Sequence, residues 1–392
     1  MNADISKHNN DKIDDIILWI IFFFLAFMIF STFLVQTTVI ILLLAYFVRI
    51  LTRRKLNYFH TPLDIPFLVL ILARSCAIIF STDTSLSLAT WNKEIFFYVT
   101  FFLCTNLLYD KEKASIKLLF RLLIIAAVIA SIYGTTKVLL SIEERATSTT
   151  SGYYTLGVFL TVVFSITLGL GRSKDFFPSR ILWPVILIII FIGIIFTQNR
   201  IHWGIAVLVL LFVGVMRERL LLVTAAAVGA AIVFLVPSLT ERFLETLHFT
   251  EHLSDRDVLW QGAFMIMLVH PFLGFGTRTF RSIFPLMDSL TDKGIGSWHS
   301  DFLQMYFEGG VINLAAFLWV MVCIFYYGVK SVKDKLTSKF NKELLFAVLL
   351  GISVFYMTAL VGEFILDPIS TLFFQFLLAI ASIIIAKGNA FE

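Results

Sequence analysis

Trp298-His299-Ser300-Asp301-Phe302-Leu303-Gln304 marks the place where a long polar stretch ends and an apolar run begins. The sixty residues before it, 238–297, are polar enough to sit in water, whereas most of the remaining chain is apolar. Of the 392 residues 59% are hydrophobic, 42 are Phe and only 15% are charged, which excludes an ordinary soluble domain. A chain of many apolar runs with one long polar loop that closes on a histidine suggests chemistry at a membrane face.

Working outward, apolar runs of about eighteen residues or more recur, each long enough to cross a hydrocarbon core about 30 Å thick. Twelve spans are expected, near 16–30, 33–50, 62–80, 94–108, 116–140, 154–171, 181–197, 201–216, 220–236, 301–328, 344–361 and 369–386. The first two meet so tightly at Ser31-Thr32 that one long bent segment would also fit. The pattern predicts an all-α polytopic membrane protein in three parts. These are an N-terminal transmembrane bundle of about nine spans (1–237), a long ordered loop with short helices (238–300) and about three C-terminal spans (301–392).

Orientation follows from charge. Segments at one end of the spans hold 20 Lys and Arg, among them Arg49, Arg53, Lys111, Lys113, Lys330 and Lys339. The short loops at the other end hold only Lys93, Arg145 and Arg200. Cytoplasmic loops collect Lys and Arg, so both termini are expected in the cytoplasm and the long loop outside. This asymmetry accounts for the net charge of +4, which is too small to suggest nucleic acid. Met1 to Asp14 is polar and no A-x-A-like site follows the first apolar run, so no cleavable signal peptide is expected. Cys76, Cys104 and Cys323 all fall in apolar spans, which argues against a disulfide framework or a thiolate metal site.

The long loop has the punctuation of folded structure. Ser254-Asp255-Arg256-Asp257 fits a capping box, with Ser254 as N-cap and the Asp257 carboxylate three residues on. The helix it opens is expected to run to about His270 and stop at Pro271 and Gly274-Phe275-Gly276. It is too short to span, so it is expected in the interface or packed on the bundle.

Several side chains in this region suit anionic substrates. Arg200 follows Thr197-Gln198-Asn199 at the outer end of the seventh span, where a guanidinium can fork onto phosphate oxygens. The plain alternative is a snorkelling anchor, but anchors gather at the opposite face. Arg256 stands in the first turn of the loop helix, where free N–H groups and the helix dipole already favour an anion. The plain alternative there is neutralisation of Asp255 and Asp257. Arg278 and Arg281, after the glycine turn, are further phosphate candidates or solvated surface residues. His299 is the side chain best suited to take a proton near neutral pH, though a histidine that starts a helix often only caps or anchors. Trp298 is read as an aromatic-belt residue or a platform for a sugar face.

Two other signals compete. Asp255-Arg256-Asp257 matches D-x-D, a way of holding a divalent metal through carboxylates, but the cap role of Asp257 explains it without a metal. Arg74 lies inside the third span, where a charge needs a function or a partner, and Glu363 at the outer end of the eleventh span is one possible partner. Asp367 reads as a loop residue before Pro368.

Three of these segments carry a resemblance. Arg256-Asp257-Val258-Leu259-Trp260 through His270-Pro271-Phe272-Leu273-Gly274-Phe275-Gly276, then His299-Ser300 with nine residues to Gly310, resembles the O-antigen ligase/polymerase superfamily. Thr197-Gln198-Asn199-Arg200 is similar to that family's Thr-Gln-x-Arg motif. The motif-bearing resemblance covers about Phe191 to Gly310; outside it only span count and length agree. The resemblance implies a bacterial inner-membrane glycosyltransferase with a C-type fold and a periplasmic loop. It further implies a donor glycan on undecaprenyl diphosphate and transfer that needs no metal or other cofactor. Carried over, Arg200 and Arg256 would hold the diphosphate and His299 would be the general base. Glu363 stands roughly where some ligases have a functional carboxylate.

Within the superfamily, a ligase uses lipid A-core as acceptor and a polymerase uses another lipid-linked repeat. The single compact loop and the paired arginines favour the ligase. The chain ends six residues after its last span, which argues against the protein acceptors of related enzymes with a soluble C-terminal domain. A transporter or flippase for a lipid-linked glycan is the alternative from another class. Transporters show paired half-repeats and broken helices at the midplane, whereas here the polar residues gather at one face, with Arg74 and Arg121 the main exceptions.

Overall fold

The computed structural model describes residues 2–53, 58–171, 173–179, 181–216 and 255–391, with a few isolated positions between 217 and 254. Among the described residues the regular structure is helical. The helices are α1 (Asn2–Phe27), α2 (Thr32–Arg53), α3 (Asp64–Ile79), α4 (Thr84–Leu108), α5 (Lys113–Leu139), α6 (Tyr153–Leu170), α7 (Leu182–Phe196) and α8 (Arg200–Met216). After them come α9 (Arg256–Ile266), α10 (Phe280–Ile283), α11 (Asp301–Lys333), α12 (Lys339–Val361) and α13 (Pro368–Ala386).

Eleven of the twelve expected spans meet a helix; the ninth, 220–236, lies outside the described residues except for Ala230. Six helices, α2, α5, α6, α11, α12 and α13, are both long and apolar enough to cross a membrane, and α7 and α8 are shorter apolar helices. The chain is a multi-pass membrane protein. Its central helices α6 and α13 are apolar on every side and enclosed, from Leu156 to Leu170 and from Ile369 to Ile384. Peripheral helices leave apolar side chains such as Ile40, Leu44 and Phe47 of α2 or Ile125, Ile129 and Ile132 of α5 exposed, as lipid-facing surface requires.

Three helix boundaries have identifiable physical causes. α1 and α2 are separate helices, because the chain turns at Phe30 and Ser31, whose N–H groups return to Phe27 O. α4 begins at Thr84 rather than near Glu94: Asp83 caps it by accepting the Leu86 N–H at 2.9 Å, and Glu94 is paired inside the bundle instead of marking a surface end. α9 begins at Arg256, with Asp255 in a left-handed conformation (φ 58°) and making no side-chain cap bond of its own. Its supposed N-cap Ser254 lies outside the described residues. The Asp255 carboxylate accepts the Asp292 N–H at 2.9 Å and ties the loop to itself.

α11 is a broken helix. Gly310 sits at φ 68°, ψ −169°, so the backbone leaves the helical path there. The Pro271–Gly276 segment lies against the break and takes up the freed groups. Phe275 N–H reaches Phe307 O at 2.7 Å, Gly276 N–H reaches Glu308 O at 3.0 Å, and Val311 N–H reaches Pro271 O at 2.7 Å. Unsatisfied backbone is expensive away from water, which is why an irregular stretch needs such a partner. The other side of the segment is held by the α3–α4 turn, where Thr82 N–H donates to Phe275 O at 2.9 Å.

Residues 255–300 have their own small core, in which Leu259, Phe275, Phe280, Phe284, Leu290 and Ile295 surround Trp298. This core, the turns at Phe27–Ser31, Phe80–Asp83, Thr197–Asn199 and Gly362–Asp367 and the α5–α6 loop gather at one end of the bundle. Ala146 N–H bonds Phe196 O, Gln198 Nε2 bonds Glu144 O, and Ser148 Oγ bonds Ile29 O. The opposite end holds the basic residues, for example Arg49 between Asp14 and Asp110 at 3.0 and 3.3 Å.

Candidate functional site

The site is built around the turn between α12 and α13. Asp301, the first residue of α11, is buried; its carboxylate accepts the N–H groups of Phe364 at 2.8 Å and Ile365 at 3.3 Å. Its own N–H donates to Gly362 O at 3.1 Å. Ser300 Oγ donates to Ala359 O at 3.0 Å. From α6, the Tyr154 hydroxyl accepts the Glu363 N–H at 2.8 Å. The loop adds two guanidinium groups to the same turn: Arg256 donates to Val361 O at 2.9 Å and Arg278 to Leu366 O at 3.2 Å. Arg256, Arg278, Glu363 and the His299-Ser300 pair, all singled out in the sequence, therefore meet at one short turn.

His299 is half-buried and has φ 48°. Burial holds its imidazole below the ordinary 6.5, the Arg256 guanidinium pushes it the same way, and the Glu363 carboxylate opposes both. A neutral imidazole at neutral pH can accept a proton. Left-handed backbone at a residue other than glycine costs about 1–3 kcal/mol and gathers at functional sites. Among the described residues the others are Ser141, Gln198, Asp255 and Arg278. Of these, Gln198 lies in the Thr-Gln-x-Arg segment, Asp255 precedes Arg256, and Arg278 is itself a candidate.

Two atoms of this group have hydrogen-bonding capacity to spare. Arg256 Nε and Glu363 Oε2 are both shielded from solvent, and neither has a hydrogen-bond partner. A donor and an acceptor left open this way suit a polar ligand.

Arg200 opens α8 and is half-buried. Asn199 Oδ1 accepts the Ile201 N–H at 3.2 Å, and Thr197 Oγ1 accepts the Asn199 N–H at 3.3 Å, so the motif's polar residues shape the turn that presents Arg200. His202, two residues on, is buried and meets the Tyr154 ring edge-on at 5.5 Å. Tyr154 thus touches both the start of α8 and the Glu363 turn. Its partners lie far away in sequence, and nothing in the local pattern singles it out.

Trp298 has a different place from the one expected. It is 1% exposed, stacks on Phe307 at 3.9 Å, and meets Phe280 and Phe284 edge-on at 5.0 and 5.7 Å. Neither face is open to a lipid headgroup or a sugar, because the loop core needs a large apolar centre. Arg281 reaches Gly294 O at 3.4 Å within the loop.

Arg74 pairs with Glu94 at 2.7 Å and Glu308 at 2.9 Å, not with Glu363. All three side chains are buried. Glu308 also accepts the backbone N–H of Arg278 at 2.6 Å and a hydrogen bond from Gln304 Nε2. The buried charge in α3 thereby anchors the residue that places the Arg278 guanidinium on the turn. Arg121 has a different part: it is exposed and donates to Asp175 O at 2.9 Å at the opposite end of the bundle.

This constellation sits largely inside a segment that can be compared with known proteins. Residues 185–318 match the family model described as O-antigen ligase. Over that segment the chain is similar to the O-antigen ligase/polymerase superfamily. The superfamily consists of membrane enzymes of glycosyltransferase type that act on lipid-linked glycans. No curated protein matches the chain. The matched segment holds Arg200, Arg256, Arg278, His299 and Gly310, whereas Tyr154 and Glu363 are brought to it by α6 and the α12–α13 turn.

Proposed function

We propose that this protein is an O-antigen ligase. It would move a glycan from undecaprenyl diphosphate to the lipid A-core oligosaccharide at the periplasmic face of the bacterial inner membrane, with both termini in the cytoplasm. The observation that carries this reading is the meeting of Arg256, His299 and Glu363 at the α12–α13 turn, with an open guanidinium N–H and an open carboxylate oxygen.

In this reaction an acceptor hydroxyl oxygen bonds to the anomeric carbon while the bond from that carbon to the diphosphate oxygen breaks. His299 takes the hydroxyl proton, and undecaprenyl diphosphate leaves with the bonding electron pair. Arg256 and Arg200 bind the diphosphate and stabilise the charge that develops on it, with Arg278 as a further contact. Glu363 opposes Arg256 in setting the basicity of His299. Fixed cations of this kind do the work that a divalent ion does elsewhere, and loss of one such donor typically costs about 10²–10³ in rate. Base assistance contributes about 10²–10⁴.

The test is transfer from purified undecaprenyl-diphosphate glycan to lipid A-core, with a chelator present, comparing the unaltered chain with His299→Ala. Transfer that survives the chelator and collapses in the variant supports the proposal. Longer lipid-linked chains with no modified core would identify a polymerase instead. Absence of both products from folded protein would overturn transfer and make lipid flipping the next assay.

A further inference from the structure

At the end of the bundle opposite the candidate site, a cavity of about 360 Å³ opens between the start of α5, the α6–α7 turn and the start of α12. Its lining includes Lys113, Ser173, Lys174, Asp175, Ser338 and Lys339. Two helices begin at its wall: Lys113 is the first residue of α5 and Lys339 the first of α12, so both positive dipole ends face this region. Lys113 is held by Asp175 at 2.9 Å and lies over the Phe340 ring at 4.7 Å; Lys117 reinforces Asp175 at 3.5 Å. Lys339 reaches only Glu343, at 3.9 Å, and Lys174 has no carboxylate partner among the described residues.

An independent observation points to a ligand. Ser173 is 2% exposed and lines this cavity, and its Oγ has no hydrogen-bond partner. A buried hydroxyl left unpaired is costly, on the order of a lost hydrogen bond, and such groups are uncommon. A hydroxyl donor beside ammonium groups and helix N-termini is a donor set for phosphate oxygens.

We infer that this cavity binds the phosphate of an anionic phospholipid headgroup. The charge-rich end of the bundle lies at headgroup depth, where basic pockets between membrane helices hold such lipids. The volume is of ligand size. Ser173 Oγ–H and the Lys174 and Lys339 ammonium groups donate to the phosphate, while Lys113 stays engaged with Asp175. Nothing in this inference depends on the transferase reading, because the site lies at the far end of the spans and its readout is binding.

The experiment uses the full chain purified in a neutral detergent. Retained lipid is measured by native mass spectrometry with phosphatidylglycerol or phosphatidylethanolamine added, and thermal stability is followed alongside. The variants are Ser173→Ala and the double variant Lys174→Ala/Lys339→Ala, with Lys330→Ala/Lys335→Ala as an exposed control at the same end. Preferential retention of phosphatidylglycerol, reduced about tenfold or more in affinity by the double variant, reduced also by Ser173→Ala and unchanged in the control, is the expected result. Equal retention of the two lipids, or variants that bind as the unaltered chain does, would overturn it. Should excess inorganic phosphate stabilise the protein as well as phosphatidylglycerol does, and displace it, the site takes a soluble anion and the lipid assignment fails. Ser173→Ala that only raises stability, with lipid binding intact, likewise rejects the ligand.

Discussion

Tyr154 and Glu363 are 209 positions apart, and the Glu363 N–H donates to the Tyr154 hydroxyl at 2.8 Å. Through this bond the start of α6 holds the turn that also receives Arg256, Arg278 and Ser300. Tyr154→Phe leaves a backbone N–H without its acceptor, which costs about 1–3 kcal/mol when the group is buried. The variant is expected to fold with a lowered unfolding temperature in detergent. Glycan transfer should fall about tenfold, as Glu363 loses its fixed position. Turnover equal to that of the unaltered chain would show that the turn keeps its place without the Tyr154 bond.

The pH dependence of transfer carries a sign that can be checked. A neutral His299 acts as base, so activity is present above its pKa and lost as the pH falls through it. Because burial and Arg256 hold that pKa below 6.5, the acid limb of kcat/KM should lie below 6.5. Glu363→Gln removes the charge that opposes them, so the limb moves to lower pH. Arg256→Gln removes a positive neighbour, so the limb moves to higher pH while the overall rate drops. Parallel shifts in the two variants would exclude His299 as the titrating base.

The buried cluster of Arg74, Glu94 and Glu308 predicts strong non-additivity. Arg74→Met leaves two carboxylates facing each other without their cation, and breaking a buried pair in this way costs about 3–5 kcal/mol. Arg74→Met combined with Glu94→Gln and Glu308→Gln removes the uncompensated charge and should recover a good part of that loss. Arg74→Lys keeps the charge but not the fork that reaches both carboxylates, so it should fall between. Thermal unfolding of the purified variants decides the order. A triple variant less stable than Arg74→Met would mean that the carboxylates contribute through something other than their pairing with Arg74.

What the sequence disclosed and what it withheld divide along a physical line. Apolar runs of membrane length are a local signal, and they located the cores of eleven helices. Lys and Arg asymmetry is nearly as local, and the structure does gather Arg49, Lys113 and Lys339 at one end of the bundle. Long-range pairing is not local. Glu94 read as the edge of a span because nothing nearby in sequence shows that Arg74 offsets its charge, and Asp301 read only as the start of a helix. Trp298 read as an interfacial residue because the aromatic partners that enclose it, Phe280, Phe284 and Phe307, come from separate pieces of chain. Arg256 and His299 were legible as candidates because Arg256 stands at the start of a helix pattern in the long polar loop and His299 where that loop meets the next apolar run. Tyr154 was not, since a tyrosine at the mouth of a span is ordinary until its partners are known.

Gly310 offers the sharpest test of how the helix break supports the site. Its φ of 68° with ψ of −169° belongs to a region essentially restricted to glycine. A Cβ there would stand 2.1 Å from both the carbonyl carbon and the oxygen of Phe272, and 2.4 Å from Leu273 N. These are backbone atoms, so relief requires moving the Pro271–Gly276 segment and with it the bonds from Phe275 to Phe307 and from Val311 to Pro271. That segment leads directly to Arg278, and the break directly follows Glu308, which holds the Arg278 N–H. Strain of about 1–3 kcal/mol from the backbone conformation alone, with the clash added, should take Gly310→Ala beyond what a marginally stable fold tolerates. The expected outcome is little monodisperse protein on size-exclusion chromatography, with unfolding at a much lower temperature in what remains. Gly204→Ala in α8, where an added Cβ meets nothing within 4 Å, should purify and unfold as the unaltered chain does. If Gly310→Ala behaved like Gly204→Ala, the break at 310 would not be what seats Arg278 on the α12–α13 turn.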